Sequence, residues 1–238
     1  MKACEAQYWP MSTQNTINQL FNENSKAFGD AIEQQFEAGT YKRGDVFVKK
    51  VIANVKKKDA YILDYGCGTG RIDMMLGEKG YRVFGVDPAV EHISRATSLN
   101  HLPNVSFEVL TDATIALPHC FDVVISSSVF EFVPDVQQYI DDIKLLLKPG
   151  GILVISFPNK MSLWRWYAKI RFGKKYKHFQ FQKNLFSKDE IRSLFQKNNF
   201  RPIGGVEYYE SAFDHKGLSF LNASRLFGTL FVLVFEKE

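Results

Sequence analysis

The segment Tyr61-Ile62-Leu63-Asp64-Tyr65-Gly66-Cys67-Gly68-Thr69-Gly70 carries the clearest chemical signal in the chain. Glycines at alternate positions let a backbone turn sharply and approach a ligand closely. An apolar run precedes the turn and a helical pattern follows it, so the free N–H groups of a helix start stand beside it. A zwitterionic amino-acid group fits such a place, with its carboxylate near N–H groups and its ammonium near carbonyls. The spacing is G-x-G-x-G, whereas a dinucleotide site uses G-x-G-x-x-G to set a pyrophosphate against the helix. Two further acids continue the series. Asp87, in Val83-Phe84-Gly85-Val86-Asp87-Pro88, lies roughly twenty residues beyond the glycines, where a carboxylate can accept both hydroxyls of a ribose. Its competing role is to cap the helix that follows. Asp112, in Leu110-Thr111-Asp112-Ala113, is placed to accept the exocyclic amine of an adenine, although alone it would read as a turn aspartate.

These residues need a scaffold that brings them to one edge, and the hydrophobic pattern supplies it. Strands are expected at Ala60–Asp64, Arg82–Val86, Val105–Val109, Phe121–Ser126, Gly151–Phe157, Ile203–Tyr209 and Thr229–Phe235. Helical spacing marks Asp45–Val55, Arg71–Gly77, Val90–Ser98 and Asp135–Leu147. Apolar strands alternating with helices indicate βαβ units and a largely parallel sheet. Lys148-Pro149-Gly150-Gly151 reads as a helix stop and a turn into the next strand. Ser187-Lys188-Asp189-Glu190 reads as a capping box that opens a helix over Asp189–Lys197. Residues 1–44 form an N-terminal helical cap or extension on this reading, and 45–238 form one domain with a lid insertion at about 158–184.

Composition narrows the class. With 238 residues, 45% of them hydrophobic, and a net charge of +4, the chain resembles an ordinary globular α/β protein. Cys4, Cys67 and Cys120 give neither a disulfide framework nor a metal-ligand spacing, so no metal is expected. The N-terminal residues lack a signal-peptide pattern, and the apolar run Leu230–Phe235 is too short to cross a bilayer. A cytoplasmic location is the expectation.

Taken together and in order, these motifs resemble the class I methyltransferases that use S-adenosylmethionine (SAM), in particular the broad group containing the ubiquinone-biosynthesis O-methyltransferases. The resemblance runs from about residue 45 to 235. It also includes Phe121-Asp122-Val123-Val124 leading to Val133-Pro134-Asp135, the Lys-Pro-Gly-Gly turn and Phe186-Ser187-Lys188-Asp189-Glu190. It implies a Rossmann-like, mostly parallel sheet of seven strands in the order 3-2-1-4-5-7-6, with the last strand antiparallel and helices on both faces. It carries contacts to the SAM tail onto Asp64, Gly66, Gly68 and Gly70, and contacts to the ribose onto Asp87. Adenine falls to Asp112 and Ala113, and the wall beside the methionine portion to Ser126. S-adenosylhomocysteine (SAH) would be the product.

Many relatives carry Val-Leu-Glu-His-Val after the fourth strand, where this chain has Val129-Phe130-Glu131-Phe132-Val133. Losing that histidine argues against a Glu/His metal site. Ser126-Ser127-Ser128 stands where nucleobase amino-methylases carry an Asn/Asp-Pro-Pro-Tyr/Phe turn. Cys67 and Cys120 are badly placed as nucleophiles. His178 is the first candidate for the base that deprotonates an acceptor hydroxyl, with Tyr41, Glu131 and His215 as weaker alternatives and a packing role for His178 competing.

Residues 160–183 contain Lys160, Arg165, Lys169, Arg171, Lys174, Lys175, Lys177 and Lys183 without an acid, interleaved with Trp164, Trp166, Tyr167, Phe172, Tyr176, Phe179 and Phe181. A solvated lid, recognition of an anionic small substrate, and an interfacial helix reaching a lipid-linked substrate all fit this pattern. RNA would use the same residue types and is the weaker expectation. The function expected is methyl transfer from SAM to a small or medium-sized metabolite, on oxygen by preference. Competing readings are N-transfer, a lipid-linked or RNA acceptor, and a SAM-binding scaffold without catalysis. A nicotinamide-dependent oxidoreductase ranks below these because the glycine spacing is wrong.

Overall fold

The computed structural model describes residues 21, 23, 26, 27, 29–111, 120–172, 182–209 and 224–238. Seven strands form one sheet: β1 (Tyr61–Tyr65), β2 (Arg82–Asp87), β3 (Val105–Val109), β4 (Phe121–Ser126), β5 (Leu147–Pro158), β6 (Phe200–Tyr209) and β7 (Leu230–Lys237). Their order is β3-β2-β1-β4-β5-β7-β6. Strands β1 to β5 pair in parallel, and β7 runs antiparallel to both β5 and β6. The expected fold class is therefore observed. Helices α1 (29–37), α2 (Lys42–Asn54), α3 (Arg71–Gly77), α4 (Val90–Leu99), α5 (Val136–Leu146), α6 (Leu163–Phe172) and α7 (Lys188–Lys197), with a 3-10 turn at Phe130–Phe132, complete the described elements.

The central strands read as continuous apolar runs because both of their faces are covered. Alternate residues serve two layers. Ile62, Val83, Val105, Val123, Ile125 and Val154 pack with Phe47 and Val51 of α2 and with Ile72 and Leu76 of α3. Leu63, Phe84, Val86, Val124, Leu153 and Ile155 pack with Tyr139, Ile140 and Ile143 of α5 and with Phe195 of α7. Asp64 shares the parity of Ile62, and Gly85 that of Val83. Both therefore lie on the α3 face, paired across β1 and β2.

Local signals account for the helix ends. Asp135 caps α5 by accepting from the Gln138 amide at 3.0 Å. The Ser187–Glu190 capping box forms in both directions, at 2.6 and 3.3 Å. Two strands begin earlier than the hydrophobic pattern suggests. β5 starts at Leu147 and passes through Pro149 and Gly150, because Gly150 takes a φ of 72° and lets the strand bend instead of ending. β6 starts at Phe200 and tolerates Pro202 because it is an edge strand, whose outer amides have no partner to lose. At the N-terminal side, α1 is tied down by an Asp30–Arg95 ion pair of 2.8 Å and a Glu33–Arg71 ion pair. The Phe36 ring also covers the Arg71 guanidinium at 4.5 Å.

Candidate active site

The glycine turn leaves β1 at the carboxyl edge of the sheet, where open α/β folds bind ligands. The amides of Gly66 and Cys67 both donate to the Val86 carbonyl, at 2.8 and 3.0 Å, and so fasten the turn to β2. Gly66 and Gly70 are required by packing: a Cβ would lie 2.3 Å from Val129 Cγ2 in the first case and 2.4 Å from Phe107 Cζ in the second. Gly68 is different. It has a φ of 55°, and a Cβ there would meet nothing within 4 Å. The open space beside it suits a ligand that comes close to the backbone.

Asp87 ends β2 and is only 7% exposed. Its Oδ2 accepts from the Gly68 amide at 3.0 Å, and its Oδ1 accepts from the Ala89 amide at 2.9 Å. His92 Nδ1 stands 3.2 Å from Oδ1. Asp87 therefore braces the glycine turn and also meets the start of α4, and Oδ2 keeps a lone pair for a ligand hydroxyl. Sequence reasoning missed His92. The signal was available in its spacing: five residues beyond Asp87, it lies on the first turn and a half of the helix that Asp87 introduces.

Asp64 is buried on the α3 face and meets the carboxyl of Asp73, which is also buried. Burial raises Asp64 well above the usual carboxylate range, and the charges of Asp73 and Asp87 add to this. Burial raises Asp73 as well. The Cys67 thiol is pushed up by burial and by the same three acids, so it stays protonated and is a poor nucleophile. Asp73 was also missed. An acid in the first turn of a helix ordinarily reads as an exposed dipole partner, and only the tertiary structure shows it pointing into the sheet.

The turn after β4 forms the next wall. Ser126 is fully buried, and its hydroxyl donates to the Tyr65 carbonyl at 2.8 Å and accepts from the Tyr139 hydroxyl at 2.6 Å. That places its side chain in the core between β1 and α5. Ser127 and Ser128 follow with buried hydroxyls that find no partner among the described residues, as does Thr69 in the glycine turn. Ser128 holds a positive φ of 58°. Unsatisfied buried hydroxyls beside an open glycine turn fit a polar ligand that completes them. Phe132 packs edge-on against Phe21 with ring centres 5.1 Å apart. Phe21 also meets His92, at 6.3 Å. Phe21 thus reaches the rim of the site.

Glu131 is 2% exposed and anchors the root of the insertion. Its carbonyl accepts from the Lys183 amide at 2.8 Å, and Asn184 Nδ2 bridges the carbonyls of Phe130 and Val133 at 2.9 and 2.7 Å. Arg165 of α6 reaches the same region. Burial lowers its affinity for its proton while the charge of Glu131 opposes that effect, and its guanidinium donates to Gln182. Tyr41, at the start of α2, is buried in the α2–α3 layer. Asp112, Ala113, His178 and His215 lie outside the described residues, as do Lys174, Lys175 and Lys177. Among the described residues, no group of three or more His, Cys, Asp or Glu could hold a metal ion. None of their helices is long and apolar enough to cross a membrane.

Comparison with known proteins agrees with this architecture. A family model described as a methyltransferase domain matches residues 42–203. Among curated relatives, the mitochondrial ubiquinone biosynthesis O-methyltransferase of Mus musculus is 36% identical over 109 residues, covering 43% of this chain and 30% of that protein. The ubiquinone biosynthesis O-methyltransferase of Rhodopseudomonas palustris is 31% identical over 118 residues, covering 48% and 46%. The matches thus span less than half the length of these relatives. Solved structures share the fold over more of the chain. Magnesium protoporphyrin IX methyltransferase from Synechocystis, solved with bound SAH, superposes with a TM-score of 0.67 at 17% identity, covering 94% of this chain and all of that one (100%). A putative methyltransferase from Haloferax volcanii, solved with the activator Trm112, gives 0.67 at 19% identity, covering 91% and 96%. With its glycine turn, its edge acids and a family match across most of its length, the chain belongs to the methyltransferase-domain family and has the class I SAM-dependent methyltransferase fold.

Proposed function

We propose that the chain methylates a hydroxyl of a small or medium-sized metabolite. The observation that carries the choice of oxygen is the match to ubiquinone biosynthesis O-methyltransferases. When bound, the cofactor supplies an electrophilic methyl group on a sulfonium. The residues present suit it: Gly68 leaves room along the turn, Asp87 offers a lone pair to the ribose, and Thr69, Ser127 and Ser128 offer unsatisfied hydroxyls. Asp112 and Ala113 are the proposed adenine contacts. The chain's own task is to align the acceptor and exclude water, since alignment of donor and acceptor dominates such a transfer. The insertion rooted on Glu131 and Asn184 is the proposed lid, and Arg165 the proposed cation for an anionic acceptor. His178 is the proposed base that takes the acceptor's proton.

The test is mass spectrometry of a metabolite extract incubated with the protein and methyl-labelled SAM. A labelled O-methyl product is expected, and a labelled amine would overturn the choice of oxygen. With the acceptor in hand, His178→Ala should lower turnover by a factor on the order of 100 or more with SAH affinity unchanged. A full-speed variant would remove His178 as the base.

One observation favours a second reading, a lipid-linked acceptor met at a membrane surface. Leu163, Trp166, Tyr167 and Ile170 recur at helical spacing on α6 and are all exposed, Trp166 at 67% and Ile170 at 66%. Lys169 and Arg171 lie in the last turn of the same helix. An apolar stripe with flanking cations suits an anionic lipid interface. Flotation with vesicles containing phosphatidylglycerol should retain the protein, and the double variant Trp166→Ser, Ile170→Ser should release it. No flotation of the parent protein would remove this reading.

A further inference from the structure

The buried acid pair under the glycine turn has a geometry that packing alone does not explain. Asp64 ends β1 and Gly85 lies beside it on β2, on the same sheet face. Asp73 descends from the first turn of α3 onto that spot. A Cβ on Gly85 would stand 2.7 Å from Asp73 Oδ1 and 2.6 Å from the Phe107 ring, so the absence of a side chain there opens the passage through which Asp73 reaches Asp64. Both acids are essentially inaccessible, at 1% for Asp64 and 0% for Asp73. Asp64 Oδ1 and both oxygens of Asp73 find no hydrogen-bond partner among the described residues. The two carboxyls converge beside Gly85 and weigh on each other electrostatically, and a proton held between them would offset the cost of burying both.

The surroundings are acidic. Asp87 of β2 weighs on both members of the pair. Cys67 in the turn is a neutral thiol, and Tyr139 of α5 is a protonated phenol that feels the charge of Asp64. His92 of α4 is engaged with Asp87. A buried anionic site costs free energy until a cation or a proton meets it. The ligand of this turn carries a cation, the ammonium of its amino-acid end.

We propose that Asp73 is a positioning residue for the cofactor's amino-acid end: through the space left at Gly85 it holds Asp64 by a shared proton, and the cofactor's ammonium takes over the role of that proton on binding. The charges balance. Before binding, two carboxyls and one proton carry a net −1; afterwards, two carboxylates and one ammonium carry the same −1, and one proton leaves to water. Binding is then stronger at higher pH through the range where the pair titrates, with a limiting slope of about tenfold per pH unit. Asp73 touches Asp64, not the transferred methyl. The proposal rests on the assignment of Asp64 to the cofactor site.

The experiment is calorimetric titration of SAH into the full chain between pH 6 and 8.5, in two buffers of different ionisation enthalpy. The parent protein should release a proton on binding and bind more tightly as pH rises. Asp73→Asn supplies a permanent donor to Asp64, so it should bind SAH within a few-fold of the parent at pH 8.5 with little or no proton release. Asp73→Leu removes the partner and should bind at least tenfold more weakly than Asp73→Asn. Circular dichroism shows which variants fold, and Asp73→Asn keeps the proposal falsifiable if Asp73→Leu does not. Proton release from Asp73→Asn equal to the parent's would overturn the proposal, as would folded Asp73→Leu binding like the parent. Asp64→Asn separates the two layers of the argument. If it binds SAH normally, the assignment of Asp64 to the site fails. If it binds weakly while the Asp73 variants match the parent, only the role of Asp73 fails.

Discussion

Asp87→Asn replaces one carboxylate oxygen with an amide NH2 and leaves the shape nearly unchanged. In the structure the two oxygens serve opposite sides: Oδ2 accepts from the Gly68 amide at 3.0 Å, and Oδ1 from the Ala89 amide at 2.9 Å. An amide has one acceptor oxygen, so whichever way the substituted side chain turns, its NH2 faces a buried N–H. Leaving one such group unsatisfied costs about 1–3 kcal/mol. For a chain of this size that lowers Tm by roughly 2–4 °C per kcal/mol. Cofactor binding loses a charged acceptor for a ribose hydroxyl, about 1.5–3 kcal/mol, which is about 10- to 100-fold in affinity. Thermal denaturation without ligand reads the first effect, and SAH titration reads the second. If Tm falls while affinity holds, Asp87 is only a brace for the turn and the ribose contact is refuted. If neither moves, the hydrogen bonds themselves are wrong.

Gly68→Val forces a β-branched residue into a φ of 55° and directs its side chain into open space; SAH affinity should fall at least tenfold with helix content retained, and normal binding would remove the turn from the site. A stability measurement tests the buried acids without any ligand. Burial raises Asp64 and Asp73, so above the ordinary carboxylate range the folded state holds more protons than the unfolded chain. Stability contributed by these protonated acids is present at low pH and lost as pH rises through the raised values. The apo Tm should therefore decline from about pH 5 toward pH 8 more steeply in the parent than in Asp73→Asn, and equal slopes would contradict the shared proton.

The succession of strands and helices along the chain was legible because it rests on local signals, and their order in the sheet was legible through the resemblance to a family. The alternation of apolar strands with helices, the glycine spacing and the acids at strand ends depend on residues close in sequence. The cap of α7 was legible for the same reason, since Ser187 and Glu190 are three residues apart. Contacts across the sheet were not. Nothing near Asp73 in sequence announces that it crosses to Asp64, because the passage is made by Gly85 on a neighbouring strand. Ser126 reads as a wall residue by its position, yet its hydroxyl turns into the core, because Tyr139 of α5 and the Tyr65 carbonyl satisfy it there. The start of β5 at Leu147 depended on pairing with Phe121, which overrode the local turn signal of Lys148-Pro149-Gly150-Gly151. Sequence by itself determined the family of the fold and brought the glycine turn and Asp87 to one edge of the sheet. Tertiary structure alone decided which buried polar groups face one another, since that follows from strand register and helix packing between residues far apart in the chain.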